Sequence, residues 1–209
     1  MTYDSILFIL KAGLMTIEVS ALAFVAGLFL ATFTAYLSMT KIKVLNLIAW
    51  VYIQLMRGTP LLMQMFFIFF SLPILGIRLS IFASALVALT ANTGAFMAEI
   101  IRASIQSIKK GQWDAAESLG LSRMQIIIKV ILPQAIRIAI PPTIGYITSL
   151  IKNSSVASTI GLVEATRAGR LAIERTGQGL LTLFLVGVLY FIICFPISKL
   201  SKSIEKKVY

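Results

Sequence analysis

The sequence contains no histidine and a single cysteine, Cys194, set in an apolar run. An intrachain disulfide is therefore excluded, the common zinc ligand sets are out of reach, and neither a Ser-His-Asp nor a Cys-His nucleophile system can be assembled. There is no Gly-Lys dipeptide, which excludes a Walker A loop to cradle nucleotide phosphates. Acids are scarce, 8 Asp and Glu against 19 Lys and Arg, so no catalytic residue and no metal site are expected. Residues 1–11 hold only a short apolar patch with Asp4 inside it, which is not a cleavable signal pattern. The first hydrophobic segment is expected to stay in the mature protein. No short-period repeat, low-complexity tract or linker is visible, and 1–209 reads as a single domain.

What the chain does have is apolar length. It is 58% hydrophobic and 13% charged, with a mean hydropathy of +0.93, far from the mixture of a soluble domain. The formal charge of +11 does not point to nucleic acid, because the basic residues sit at the ends of apolar runs and form no stripe with interleaved aromatics. They mark membrane topology. A membrane-spanning helix needs about 20 mostly apolar residues, and five segments qualify: 14–39, 47–72 with Arg57 inside it, 79–101, 130–151 and 177–198. The fold class is an all-α membrane protein of five transmembrane helices. Lys41, Lys43, Lys109, Lys110, Arg123, Lys129, Lys199, Lys202, Lys206 and Lys207 fall on one side, against Lys11, Arg78, Lys152, Arg167, Arg170 and Arg175 on the other. The richer side is cytoplasmic by the positive-inside rule. That places the N-terminus outside and the C-terminus inside.

Between two apolar blocks lies a polar island, 111–133. Asp114 and Glu117 lie beside Ala115 and Ala116, and Gly120 follows, which predicts a short helix over 111–121 with a glycine stop. Ser122 and Gln125 have the spacing of a capping box that starts a new helix. Small residues beside acids suit a helix on which another protein's surface docks; the same composition also suits an ordinary connecting loop. Pro133, Pro141 and Pro142 predict a kink or break in the fourth segment. Broken helices inside a membrane are tolerated where they line a protein-buried cavity. Asn92, Thr93, Tyr146, Thr148 and Ser149 are the polar groups expected to face such a path or to bond between helices. Glu99 and Arg102 have the spacing of a helical ion pair. Arg57 and Arg137 are expected to snorkel to the cytoplasmic interface, and Glu18 to mark the outer boundary of the first segment.

The residues Asp114, Ala115, Ala116, Gly120, Leu132 and Pro133 resemble the EAA motif of ABC importer permeases: Glu-Ala-Ala, then Gly, then Ile-x-Leu-Pro. Asp114 stands for Glu and Val130 for Ile. Arg57-Gly58-Thr59-Pro60-Leu61-Leu62 with Gln64, Ala98-Glu99-Ile100 with Arg102, Gln106-Ser107-Ile108, Gly111-Gln112, Leu132-Pro133-Gln134-Ala135 and Lys152-Asn153-Ser154-Ser155 resemble the polar amino-acid subfamily. The resemblance covers about residues 12–205. It implies a type I ABC importer permease-like fold in the plasma (inner) membrane of a bacterium. Asp114, Ala115, Ala116, Glu117 and Gly120 would form the coupling helix on a separate ABC ATPase subunit, which holds the ATP and Mg; this chain binds no cofactor. An identical or homologous permease subunit is implied beside it, with an extracytoplasmic amino-acid-binding protein touching Lys152, Glu164 and Arg167. The substrate path is expected along Asn92, Thr93, Pro141, Pro142, Tyr146 and Ser149. Tyr146 and Asn153 stand where relatives that carry basic amino acids often have acids, which favours a neutral polar amino acid. The competing reading is a stand-alone secondary carrier or channel for small polar solutes. It would be expected to use an intramembrane acid for ion coupling.

Overall fold

Lipid gives apolar side chains no reason to leave it, so helices inside a membrane associate where small residues let their backbones approach. Such residues recur along the first and third hydrophobic segments. In the computed structural model, which describes residues 3–208, these two segments form the most extensively packed pair of helices. Helix α1 (Tyr3–Met39) buries Ala23, Ala31 and Ala35. A second helix of the pair, Ile81–Gln106, buries Ala85, Ala88 and Ala98. A Cβ on Gly27 would lie 2.5 Å from Thr93 Cγ2, and one on Gly94 would lie 2.7 Å from the Tyr52 hydroxyl. Neither position has room for a side chain. Large apolar groups point the other way: Phe29, Phe33, Phe184 and Phe191 are exposed on the outer surface.

The segment expected over 47–72 is interrupted. Helix α2 (Lys43–Gly58) stops at Thr59, α3 (Leu61–Phe66) starts after Pro60, and the stretches Lys43–Gly58 and Leu61–Leu75 are bent by 108°. The cause is local. A proline clashes with a helical residue before it, and Thr59 sits extended at φ −116°, ψ 147°. Beyond α3 the chain continues through a π turn (Phe67–Ser71) and a 3-10 turn (Leu72–Leu75) to α4, the Ile81–Gln106 helix. The Ser80 side chain accepts the Ala83 amide and starts α4.

Two short helices follow, α5 (Lys110–Ser118) and α6 (Arg123–Gln125), then a π turn (Ile126–Ile131) that leads into α7 (Leu132–Asn153). Of the kink or break expected at Pro141 and Pro142, the break is absent: α7 runs through both. The two prolines leave the Arg137 and Ile138 carbonyls without amide donors; packing against neighbouring helices makes such gaps tolerable in a membrane, and α9 is tied to this stretch by the Ser201 hydroxyl, which donates to the Pro141 carbonyl at 2.9 Å. The irregular turn lies earlier, before Pro133. In a regular α-helix that ring would press on the carbonyl four residues back; instead the Leu132 amide reaches five residues back to the Ile127 carbonyl, in a wider turn.

A 3-10 turn (Ser154–Ile160) leads to the amphipathic α8 (Ala165–Thr176), and α9 (Gly179–Val208) completes the bundle. Among the described residues, four helical stretches are long and apolar enough to cross a membrane, or five if the bent pair counts as one span. The ends of α1 and α4, helix α5 and the π turn before α7 meet at one end of the bundle. At the other, Ala168 and Ala172 of α8 pack on Ile9 and Ala12 of α1 and Val186 of α9.

Candidate functional site: an elbow and a buried polar network

Helix α5 ends as its sequence predicts. The Gly120 amide bonds the Glu117 carbonyl at 2.9 Å and the Leu121 amide bonds the Ala116 carbonyl at 3.4 Å, with Gly120 left-handed at φ +72°. This is a Schellman stop. Immediately after it, Ser122 and Gln125 form the capping box that opens α6. Two sharp punctuation marks therefore fix the angle between α5 and the π turn, and Gln134 Nε2 ties the base of α7 to Gln112 Oε1 at 3.2 Å. Asp114, Ala115, Glu117 and Gly120 are exposed. Ala116 is not: it is buried with Ile108, Ile126, Ile131 and Ala135, so the two alanines divide the work, one anchoring the elbow and one presented outward. Leu119 at the tip is 80% exposed and was not singled out by the sequence reading. The signal available is a lone leucine between Ser118 and Gly120, outside either apolar run.

Deep in the bundle, three of the residues expected on a path come together. Asn92 Nδ2 donates to Gln64 Oε1 at 3.1 Å and to the Met56 carbonyl at 3.2 Å. Gln64 Nε2 donates in turn to the Met56 carbonyl at 2.8 Å and the Thr59 carbonyl at 3.1 Å. These carbonyls are the ones that the break at Pro60 deprives of helical partners. The Tyr146 hydroxyl from α7 donates to Thr93 Oγ1 at 3.2 Å. Asn92, Thr93 and Tyr146 thus hold the broken helix, α4 and α7 to one another. Pro142 is exposed and Ser149 half-buried; Pro141 is buried against α9 through Ser201. Gln64, present in the sequence motif but assigned no task there, is the centre of the network. Polarity inside an apolar run just after a Thr-Pro break was the available signal.

The network passes directly into a charged cluster. The Phe96 ring stacks on Tyr146 with centroids 5.5 Å apart, and the Arg57 guanidinium lies 5.5 Å from the Phe96 centroid. Arg57 also reaches Glu99 at 3.7 Å, and Glu99 holds Arg102 bidentately at 2.6 and 2.8 Å. The expected Glu99–Arg102 pair is present; Arg57, expected to snorkel, is exposed and lies between the Phe96 face and the Glu99 carboxylate.

At the opposite end Glu164 is fully buried, which corrects its placement on an external contact surface. Its carboxylate accepts the amides of Thr166 and Arg167 at 2.9 and 2.8 Å and the Tyr190 hydroxyl at 2.8 Å. Burial pushes this carboxyl above the usual carboxylate range, and the three donors oppose the shift. Lys152 is exposed and Arg167 half-buried.

The network predicts a stability effect. Asn92→Leu keeps the approximate volume but leaves the Gln64 carbonyl oxygen without its donor, at a cost of about 1–3 kcal/mol. The midpoint of thermal unfolding in detergent is expected to fall by roughly 2–4 °C per kcal/mol. Asn92→Asp, which brings an acceptor towards two acceptors, is expected to fall further. Wild-type midpoints for both variants would remove the network from what holds the break together.

Membrane-length helices, a polar network at the break of one of them and a rigid polar elbow at one end define a membrane transport subunit. The profile of the family described as binding-protein-dependent transport system inner membrane component matches residues 23–208, and the chain belongs to that family. It is 40% identical over 201 residues to the L-cystine transport system permease protein TcyB of Bacillus subtilis (strain 168), covering 95% of this chain and 86% of that protein. A Rickettsia felis protein named for glutamine transport is 34% identical over 206 residues, 98% of this chain and 94% of that one. A crystal structure of an amino acid ABC transporter with histidines superposes with a TM-score of 0.92 at 32% identity, over 96% of this chain and 94% of that chain. The chain is the permease component of an amino-acid ABC importer, with the type I importer permease fold.

Proposed function

We propose that this permease imports a neutral polar amino acid across a bacterial plasma membrane, driven by a separate ATPase that engages α5. The observation that carries the reading is the elbow: Asp114, Ala115, Glu117 and Leu119 are presented outward on a helix that ends in a Schellman stop and is followed at once by the capping box of α6. Such a helix transmits displacement instead of absorbing it. The ATPase carries the ATP and Mg, and its closure biases the bundle between two packings. The charge distribution supports an N-terminus outside and α5 in the cytoplasm. A second permease subunit, identical or homologous, completes the path, and an extracytoplasmic binding protein delivers the amino acid against Lys152 and Arg167, with Glu164 supporting that surface from beneath. Absence of an acid at 146 and 153 supports a neutral substrate.

Reconstitution with its ATPase and binding protein in liposomes, with a panel of labelled amino acids, tests this. ATP-dependent uptake of a neutral polar amino acid is expected. Ala115→Trp overpacks the docking face by about 1–3 kcal/mol, so uptake is expected to fall roughly tenfold. Uptake driven by an ion gradient with no ATPase present is the result that overturns the proposal in favour of a secondary carrier.

A further inference from the structure

The elbow end carries a feature that transport as described does not use. A groove of about 600 Å³ runs between the last turns of α1 and α4, helix α5 and the π turn before α7. Its walls are apolar, with Ile101, Ile105, Ile127 and Ile131 along them, while Lys41 and Arg123 stand in its lining. A second hollow of about 540 Å³ adjoins it, sharing Thr40 and Lys41 and adding Lys43, Asn46 and Trp50. The chain has 2 tryptophans, and both line these hollows, Trp113 in the first and Trp50 in the second; Tyr36 lies in the first as well.

Tryptophan and tyrosine concentrate where a bilayer meets water, so the hollows lie at headgroup depth. An apolar slot entered beside three cations matches one class of molecule, with a hydrocarbon tail and a negatively charged head. Basic pockets between membrane helices select anionic headgroups on this ground. The soluble surface of a partner protein would leave the isoleucine walls wet, and a second copy of this chain would bring its own lysines and arginine against these. We propose that the groove binds one anionic phospholipid, an acyl chain along the isoleucine wall and the phosphate beside Lys41, Lys43 and Arg123. Because Trp113 belongs to α5 and Arg123 to α6, the lipid contacts both sides of the elbow.

The test is native mass spectrometry of the full-length permease released from mixed micelles holding equal amounts of phosphatidylglycerol and phosphatidylcholine. The wild type is expected to retain one phosphatidylglycerol in preference to phosphatidylcholine. The double variant Lys41→Gln/Arg123→Gln is expected to lose that preference by roughly tenfold or more. Ile127→Trp fills the slot with every cation in place and is expected to reduce occupancy by a similar factor, with the unfolding midpoint checked to show that both variants fold. Excess inorganic phosphate is expected to leave the lipid in place. Equal retention of the two lipids by the wild type, unchanged retention in both variants, or displacement by phosphate alone each overturns the proposal. So does efficient disulfide formation between Ile127→Cys copies in membranes, which would put a second copy in the groove.

Discussion

Replacing Gly27 with leucine is expected to leave little folded permease after extraction into detergent. A single added carbon at this position meets Thr93 Cγ2 at 2.5 Å, Thr93 Cβ at 2.7 Å and the Gly94 backbone nitrogen at 3.3 Å. The last of these contacts is backbone, which cannot swing aside as a side chain does. Gly27→Ala alone should cost about 1–3 kcal/mol and lower the thermal midpoint by roughly 2–4 °C per kcal/mol. Leucine adds three more heavy atoms to the same space and pushes α1 off α4 along their whole contact. Gly187 of α9 is the control: it is exposed, and a Cβ there meets nothing within 4 Å. Gly187→Ala is expected to be neutral or to stabilise by about 0.5–1 kcal/mol, since alanine loses less chain entropy in a helix. Should Gly27→Ala and Gly187→Ala behave alike, close approach of α1 and α4 is not what Gly27 provides.

The second large effect concerns Gly120, to which the sequence gives two tasks, a helix stop and a partner's close approach. The structure shows the first: a left-handed backbone at φ +72° with open space where a Cβ would point. Valine in that conformation costs about 1–2 kcal/mol and undoes the two amide bonds of the Schellman stop. Asparagine tolerates the same conformation. Gly120→Val is therefore expected to lower ATP-dependent uptake roughly tenfold and to speed amide exchange at Gly120 and Leu121, whereas Gly120→Asn keeps both near wild type. If asparagine fails as badly as valine in uptake while its exchange stays slow, the glycine serves a partner's surface after all.

These cases show where sequence was sufficient. The elbow was legible almost atom for atom, because helix stops and capping boxes are local: Gly120, Ser122 and Gln125 lie within six residues and need no distant partner. The spans were legible because hydrocarbon selects length and polarity. A kink or break is expected at Pro141 and Pro142, yet the helix interruption lies at Thr59–Pro60, since whether a proline breaks a helix depends on what packs around it. Ser201, 60 residues from Pro141, is invisible to a local reading, as is the role of Gln64, whose partner Asn92 is 28 residues away. Glu164 looked like surface charge because loop acids generally are; its burial depends on Tyr190, 26 residues further on.

The π turn at Ile126–Ile131 has a consequence for inheritance. A turn closed five residues back holds one residue more than its α counterpart, and each helical residue advances the azimuth by about 100°. Because the wider turn advances the azimuth less per residue, the extra residue is absorbed there with little rotation of α7. A descendant that lost one residue of Ile126–Ile128 would close an ordinary α turn and keep Tyr146 facing Thr93, at the cost of pressing the Pro133 ring on the carbonyl four residues back. Between elbow and bundle, gene length can change by one codon where the proline after it resists the change.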